Sequence, residues 1–342
     1  MEAFRQSFVT RQPGKALFVL LALAINAVRL PFWLLYFLPR HLRQHPNWTF
    51  RQSIMVRIIR AYLYNTSIAE ASTSLSLKPG KEGARFVTIS PAQSKYYTGV
   101  ATCDSHIRPE RIGGTWYPAA LSSGETSGHV VLHFHGGAYV IGDGRTQEAG
   151  FAAKTMIANS SASHVFCPQY RLSSHPGGRF PAALQDAITS YSYLVSTLGI
   201  PASKVVISGD SAGGNLALAL MRYFADNGTQ TDLSSAGCAW LWSPWAAPML
   251  AIDPRAMDNN PNHPTDYLSG GFGAWGARAF APSVESGIDI SHPIIHLLGN
   301  AFRTETPMWI STGECEILMS DDIKLAEQMK NVEGNKVGLS IE

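Results

Sequence analysis

The sequence predicts an α/β protein with a mostly parallel central sheet flanked by helices. Three observations carry that reading. At 342 residues with 45% hydrophobic and 15% charged residues, the chain can bury a large core, which excludes disordered, collagen-like, coiled-coil and disulfide-stapled classes. From about Gly128 onward, short β-branched or aromatic runs alternate with longer helix-like stretches, the rhythm of strand–helix–strand units. One of those stretches, Ala182–Leu198, has no internal proline or glycine, as a packed helix requires.

In order, Val130–Phe134 reads as a strand, Phe151–Ser160 as a helix, Ser163–Cys167 as a strand and Ala182–Leu198 as a helix. Val205–Ser208 follows as a short buried strand, Gly214–Asp226 as a helix, and Cys238–Trp242 and Met308–Ser311 as strands. Asp321–Lys330 is then a helix and Lys336–Ile341 a last strand. Alternation of this kind implies a parallel sheet covered on both faces. Residues 40–110 and 245–290 are less regular and rich in Pro, Gly and Asn. They are assigned to covering, cap-like segments rather than to the sheet.

The net charge of +2 hides an asymmetry. Residues 1–60 hold nine Lys/Arg against one acid, Glu2, whereas residues 61–342 hold eighteen against twenty-four. The domain organisation expected is therefore a basic leader, 1–60, ahead of a mildly acidic body, 61–342. Within the leader, residues 16–38 form an apolar stretch long enough to cross a bilayer, interrupted by Arg29 and Pro31. Arg5, Arg11 and Lys15 precede it, arginines follow it, and Trp33 and Tyr36 suit a membrane interface. A secretory signal is the nearest competitor, but no small-x-small cleavage site precedes Arg29. The expectation is a single-pass or monotopic anchor, with the endoplasmic reticulum as a candidate membrane. Sequons at Asn47, Asn65, Asn159 and Asn227 would make a luminal body a glycoprotein. Arginines that bracket an apolar segment do not form the polar stripe of a nucleic-acid binder. The four cysteines, Cys103, Cys167, Cys238 and Cys315, are widely spaced and show no metal-ligand pattern, so neither a metal nor another cofactor is expected.

Chemistry concentrates at two glycine-rich turns. Gly209-Asp210-Ser211-Ala212-Gly213 fits G-x-S-x-G, with a strand running in and a helix running out. A serine on such a turn needs small neighbours, because the backbone folds close on itself, and the following helix aims its N-terminus at the reacting group. Seventy-six residues earlier, His135-Gly136-Gly137-Ala138 ends the strand Val130–Phe134. Glycines there let backbone N–H groups turn inward to hold a developing oxyanion.

With these residues on the page, the chain resembles the hormone-sensitive-lipase family of α/β-hydrolases over roughly residues 85–342. Tyr170-Arg171-Leu172, His175-Pro176 and Phe180-Pro181-Ala182-Ala183-Leu184-Gln185-Asp186 add to the likeness. Pro46-Asn47-Trp48-Thr49 with Arg51-Gln52 is similar to the leader of fungal members. The resemblance implies an α/β-hydrolase fold and a carboxylesterase- or lipase-like serine hydrolase. Ser211 would be the nucleophile, and the amides of Gly136, Gly137, Ala138 and Ala212 would form the oxyanion hole. His135 would then shape the loop. The family's H-G-G-G reads here with Ala138 in the last place, which keeps the backbone donor.

The resemblance also implies an acid in the turn after the strand Met308–Ser311, which falls on Glu316, with Glu314 and Asp321 as runners-up. Asp321 and Asp322 suit a solvated acidic loop better. The family's histidine sits about thirty residues past the acid, beyond the last strand. All eleven histidines here precede Glu316 and the sequence stops at Glu342. The expectation is thus an ester hydrolase whose C-terminal end is missing and whose activity is impaired as written. Its substrates would be small or lipophilic esters, secondary metabolites if the fungal likeness holds. The aromatic segments Trp242–Trp245 and Tyr267–Trp275 are expected to roof the pocket. The alternatives are a non-catalytic small-molecule binder on the same fold and a membrane scaffold.

Overall fold

The computed structural model describes residues 8–121 and 128–342; Glu2 and Arg5 of the basic leader lie outside the described residues. The helices are α1 (Gly14–Tyr36), α2 (Phe50–Ala69), α3 (Thr146–Asn159), α4 (Ala182–Ser192), α5 (Ala212–Thr231), the single turn α6 (Arg255–Asp258), α7 (Gly270–Phe280) and α8 (Met319–Lys330). The strands are β1 (Phe86–Ile89), β2 (Ile112–Tyr117), β3 (His129–Phe134), β4 (Ala162–Gln169), β5 (Val205–Asp210), β6 (Cys238–Trp242), β7 (Met308–Thr312) and β8 (Val337–Ile341). Two compact units result. One groups the chain up to Ala71 with Leu250–Trp275 and Cys315–Ile317; the other groups Ser72–Met249, Gly276–Glu314 and Leu318–Glu342.

In the first unit, α1 is long and apolar enough to cross a membrane by length and composition, and its apolar window is not buried. The following helix starts at a reciprocal cap. Gln52 N–H donates to Thr49 Oγ1 at 3.2 Å, and Thr49 N–H donates to Gln52 Oε1 at 2.8 Å. Two orphan donors are satisfied at once. This corrects the reading of residues 40–110 as irregular cover, because they contain the twenty-residue α2 and the strand β1. Arginines spread along α2 blur its apolar period, while β1 is too short to show one.

Among the described residues, the second unit carries all eight strands in one sheet, ordered β1-β2-β4-β3-β5-β6-β7-β8. β1 pairs with β2 and β2 with β4 antiparallel, and the remaining neighbours are parallel. Residues Gly113 and Gly114 made β2 look unlike a strand. A Cβ on either would fall on the Phe86 or the Phe166 ring, so aromatic packing across the sheet replaces β-propensity.

Val131, Val165 and Val206 face Ala149, Ala153 and Met156 of α3 across one side. All of α4 is buried, and its polar groups find partners. Gln185 donates to Ala101 O at 2.8 Å and Ile107 O at 2.9 Å, and Asp186 receives Arg171 Nη2 at 2.8 Å and its Nε at 3.0 Å. This pairing is what makes a buried carboxylate tolerable. The helix expected over Ala182–Leu198 changes character at Tyr193, where Tyr193–Thr197 form a π turn closed by Leu198 N–H on Tyr193 O at 3.0 Å. Over β6 and β7 the α3 side of the sheet opens. Trp242 and Trp309 are exposed there, lining a cavity of ≈ 470 Å³ with Phe151 of α3. Among the described residues no disulfide forms, and Cys167 is fully buried in β4.

Candidate active site

β5 runs straight into Ser211, which stands at φ 51°, ψ −116° before α5 begins at Ala212. A non-glycine residue held there stores about 1–3 kcal/mol of strain, so the surroundings must fix it. Ser211 N–H donates to Trp242 O at 3.0 Å, and Ser211 O accepts from Asn215 N at 3.0 Å and Trp245 N at 2.9 Å. A Cβ on Gly209 would sit on the Gly213 carbonyl, and one on Gly213 would sit on the Phe134 and His135 carbonyls. Close backbone approach on both sides therefore requires the small residues of the pentapeptide.

The loop after β3 lies against this turn. Gly136 N–H donates to Asp210 Oδ1 at 3.0 Å, so one of the four amides expected to hold an oxyanion is already engaged. Gly137 (φ 107°), Ala138 (φ 51°) and Tyr139 (φ 63°) all take left-handed backbone. The N–H groups of Gly137 and Ala138 have no acceptor among the described residues, and Ala212, as first residue of α5, has no intrahelical acceptor. Tyr139 holds the loop in shape. Its ring stacks on Phe280 with centroids 3.7 Å apart, and its hydroxyl donates to Asn215 Oδ1 at 2.8 Å. Asn215 in turn donates to Trp245 O and Ile295 O, each at 2.9 Å.

His135 is structural here. Its ring stacks on Tyr170 at 4.3 Å, and its Nδ1 meets Gly136 O at 2.7 Å, which makes Nδ1 the protonated nitrogen. Burial lowers its pKa and favours the neutral ring. Among the described residues no histidine hydrogen-bonds Ser211 Oγ. His133 instead reaches Ser208 Oγ at 3.1 Å and lies 3.5 Å from Asp210 Oδ1.

Glu316 lies in the turn after β7, half-buried, in a segment grouped with the first unit. Its turn is held by side chains from residues 260–266. Asn262 Nδ2 donates to Glu316 O at 2.9 Å, Thr265 Oγ1 to Cys315 O at 2.8 Å, Asn260 Nδ2 to Ile317 O at 3.2 Å, and Ile317 N–H to Asp266 Oδ2 at 2.6 Å. Burial raises the Asp266 pKa, opposed by the backbone N–H groups of Ile317, Leu268 and Tyr267. Glu314 is exposed, with its N–H on Glu342 O at 2.8 Å. The acidic pair assigned to a solvated loop is not solvated. Asp322 is fully buried and accepts from Thr312 Oγ1 at 2.9 Å, while burial raises the pKa of Asp321, which faces His296. The start of α8 packs against β7, which the acidic composition concealed.

Ser211, Ala212, Gly136, Gly137 and Ala138 are thus assembled in the second unit, and Glu316 stands in its own braced turn. Trp242, itself exposed, turns its Nε1 to Ser208 Oγ at 3.1 Å on the α3 side of the sheet, and Trp245 is buried. Sequence reasoning missed Asp210, Tyr139 and Asn215. Only Asp210 left a signal, as a carboxylate among small residues that needs a donor.

A model of the alpha/beta hydrolase fold family matches residues 131–341. The chain belongs to that family. Among curated relatives of this α/β-hydrolase, an acetyl-hydrolase of Streptomyces hygroscopicus is 29% identical over 201 residues, covering 59% of this chain and 61% of that protein. The chain thus matches less than two thirds of that relative's length. Among solved structures, an esterase from the bacterial hormone-sensitive lipase family aligns with TM-score 0.59 at 19% identity, over 86% of this chain and 88% of that one. An esterase/lipase from an uncultured bacterium aligns with TM-score 0.57 at 23% identity, over 87% and 82%. The fold is that of an α/β-hydrolase.

Proposed function

We propose that this α/β-hydrolase is a serine carboxylic-ester hydrolase. The observation that carries the reading is Ser211 held in strained backbone beside unengaged amides at Gly137 and Ala138 and the N-terminus of α5. Ser211 Oγ attacks the ester carbonyl and its proton passes to a base; the tetrahedral adduct then expels the alcohol, which takes that proton, and water cleaves the acyl-enzyme left behind. The amides of Gly137, Ala138 and Ala212 hold the tetrahedral oxyanion, and Gly136 is kept in place by Asp210 rather than joining them. Glu316 is the acid that orients the base. None of the histidines in residues 1–342 is assigned that role. The substrates are small or lipophilic esters, including those of secondary metabolites, and residues 16–38 attach the protein to a membrane.

Hydrolysis of short-chain nitrophenyl esters tests this directly. Ser211→Ala is expected to lower the rate roughly tenfold or more, less than in an intact triad because losses within a triad are not additive. Equal rates for wild type and variant overturn the assignment. The lack of a histidine bonded to Ser211 favours a second reading, a small-molecule binder. It requires tight ester or acid binding without turnover, unchanged in Ser211→Ala.

A further inference from the structure

Within the first unit, α1 and α2 run side by side in opposite directions. Lys15 Nζ at the start of α1 donates to Glu70 O at the end of α2, 2.9 Å away. At the other end Arg43 closes the turn, donating to Phe37 O at 3.1 Å, Leu38 O at 3.1 Å and Trp48 O at 3.0 Å. Between them, the Arg57 guanidinium lies over the Trp33 ring at 5.1 Å. A helix fastened in this way does not enter a bilayer alone. If α1 spanned, Arg57 and Arg60 of α2 would go with Arg29 into hydrocarbon, and each guanidinium there opposes insertion roughly a hundredfold.

The same arginines line one cavity of ≈ 660 Å³, with Phe18, Ile25 and Trp33 as well as Asn26 and Asn65 in its walls. Arg60 Nη2 is shielded from water and has no hydrogen-bond partner among the described residues, an expensive state for a charged donor. Burial, and then the Arg57 charge, lower the Arg60 pKa. His263 also lines the cavity. The acid in the lining, Asp258, is engaged by Gly270 N–H at 2.8 Å and lies 3.7 Å from His263 Nδ1. The cavity is therefore built for an anion with an apolar body. Beside it, Leu17, Leu21, Val28, Phe32 and Leu35 form an exposed stripe along one side of α1, and Leu20 and Leu23 are exposed on other sides of the same helix.

Resting on the membrane attachment proposed above, we propose that the α1–α2 hairpin docks in the plane of the membrane instead of spanning it. Arg29, Arg57 and Arg60 take the phosphate of an anionic phospholipid, and the α1 stripe enters the acyl region. Arginine suits this role because its planar fork matches phosphate oxygens.

Co-sedimentation of the full chain with phosphatidylcholine vesicles, with and without phosphatidylserine, tests the proposal. Wild type is expected to prefer the phosphatidylserine vesicles and to lose them as salt rises. The triple variant Arg29→Gln, Arg57→Gln, Arg60→Gln is expected to bind about a hundredfold more weakly, at roughly fivefold per arginine. A control triple, Arg108→Gln, Arg111→Gln, Arg179→Gln, changes net charge equally and is expected to bind as wild type; circular dichroism checks that each variant is folded. Salt-resistant binding to neutral and anionic vesicles alike keeps the attachment and overturns in-plane docking. Equal losses in both triples overturn the phosphate site, and no binding to either vesicle removes the attachment as well. None of these readouts depends on ester turnover, so the hydrolase reading stands or falls separately.

Discussion

The nucleophile turn and the turn that carries Glu316 are built by opposite means. Ser211 is fixed by backbone: Gly209 and Gly213 press backbone on backbone, and the N–H groups of Asn215 and Trp245, four and thirty-four residues on, bond its carbonyl. The Glu316 turn is held differently. Asn260, Asn262, Thr265 and Asp266 hold it from about fifty residues away, through side chains. The first arrangement concentrates strain in one residue. The second distributes a modest load over several hydrogen bonds, each worth about 1 kcal/mol net.

The largest effect that would break this contrast belongs to the nucleophile turn. Gly213→Ala drives a methyl into the Phe134 and His135 carbonyls, neither of which can swing aside as a side chain does. A loss of about 3–5 kcal/mol is expected, read as a fall in denaturant midpoint, with hydrolysis lost alongside. At the Glu316 turn, Asp266→Ala strips the acceptor from Ile317 N–H and Leu268 N–H. About 1–3 kcal/mol is expected there. If Asp266→Ala proves the more damaging of the two, the division between backbone and side-chain support is wrong.

Acid should act on the two regions in opposite senses. His135 has its folded pKa lowered, mainly by burial, so its contribution is complete above the ordinary histidine value and is lost as pH falls below it. Asp266 has its folded pKa raised, mainly by burial. The folded state then binds its proton more tightly than the unfolded chain, and stability declines as pH rises from the ordinary aspartate value through the folded one. Thermal melts across pH are expected to show Asp266→Asn removing that decline while leaving the loss below the ordinary histidine value intact. His135→Gln should do the reverse.

The smallest expected effect sharpens the strain argument. Ser211→Gly abolishes the nucleophile yet frees φ 51° from its Cβ cost, and a gain of about 1 kcal/mol is expected in equilibrium unfolding. A loss of stability would mean that the side chain, rather than the backbone, anchors the turn.

Legibility in the sequence followed the same division. Strands β3 to β8 could be read because each is a compact apolar or aromatic run flanked by turns. Ser211, Gly137 and Ala138 could be read because the small residues their backbone needs stand beside them in the sequence. β2 could not, since its glycines make sense only against the Phe86 and Phe166 rings of neighbouring strands. Glu316 was reached through a family pattern, and nothing in residues 260–266 announced that they would hold its turn.

The sequence by itself determined the α/β class, the order of nucleophile and oxyanion loop, and a basic apolar leader, since periodicity and short-range sterics are written along the chain. Only the tertiary structure decided that Gly136 is bound to Asp210, that Asp322 is buried, and that α1 is paired with α2. Those outcomes depend on which distant groups meet, and a linear pattern does not encode the donor, ring or charge that will stand opposite a residue once the chain has folded.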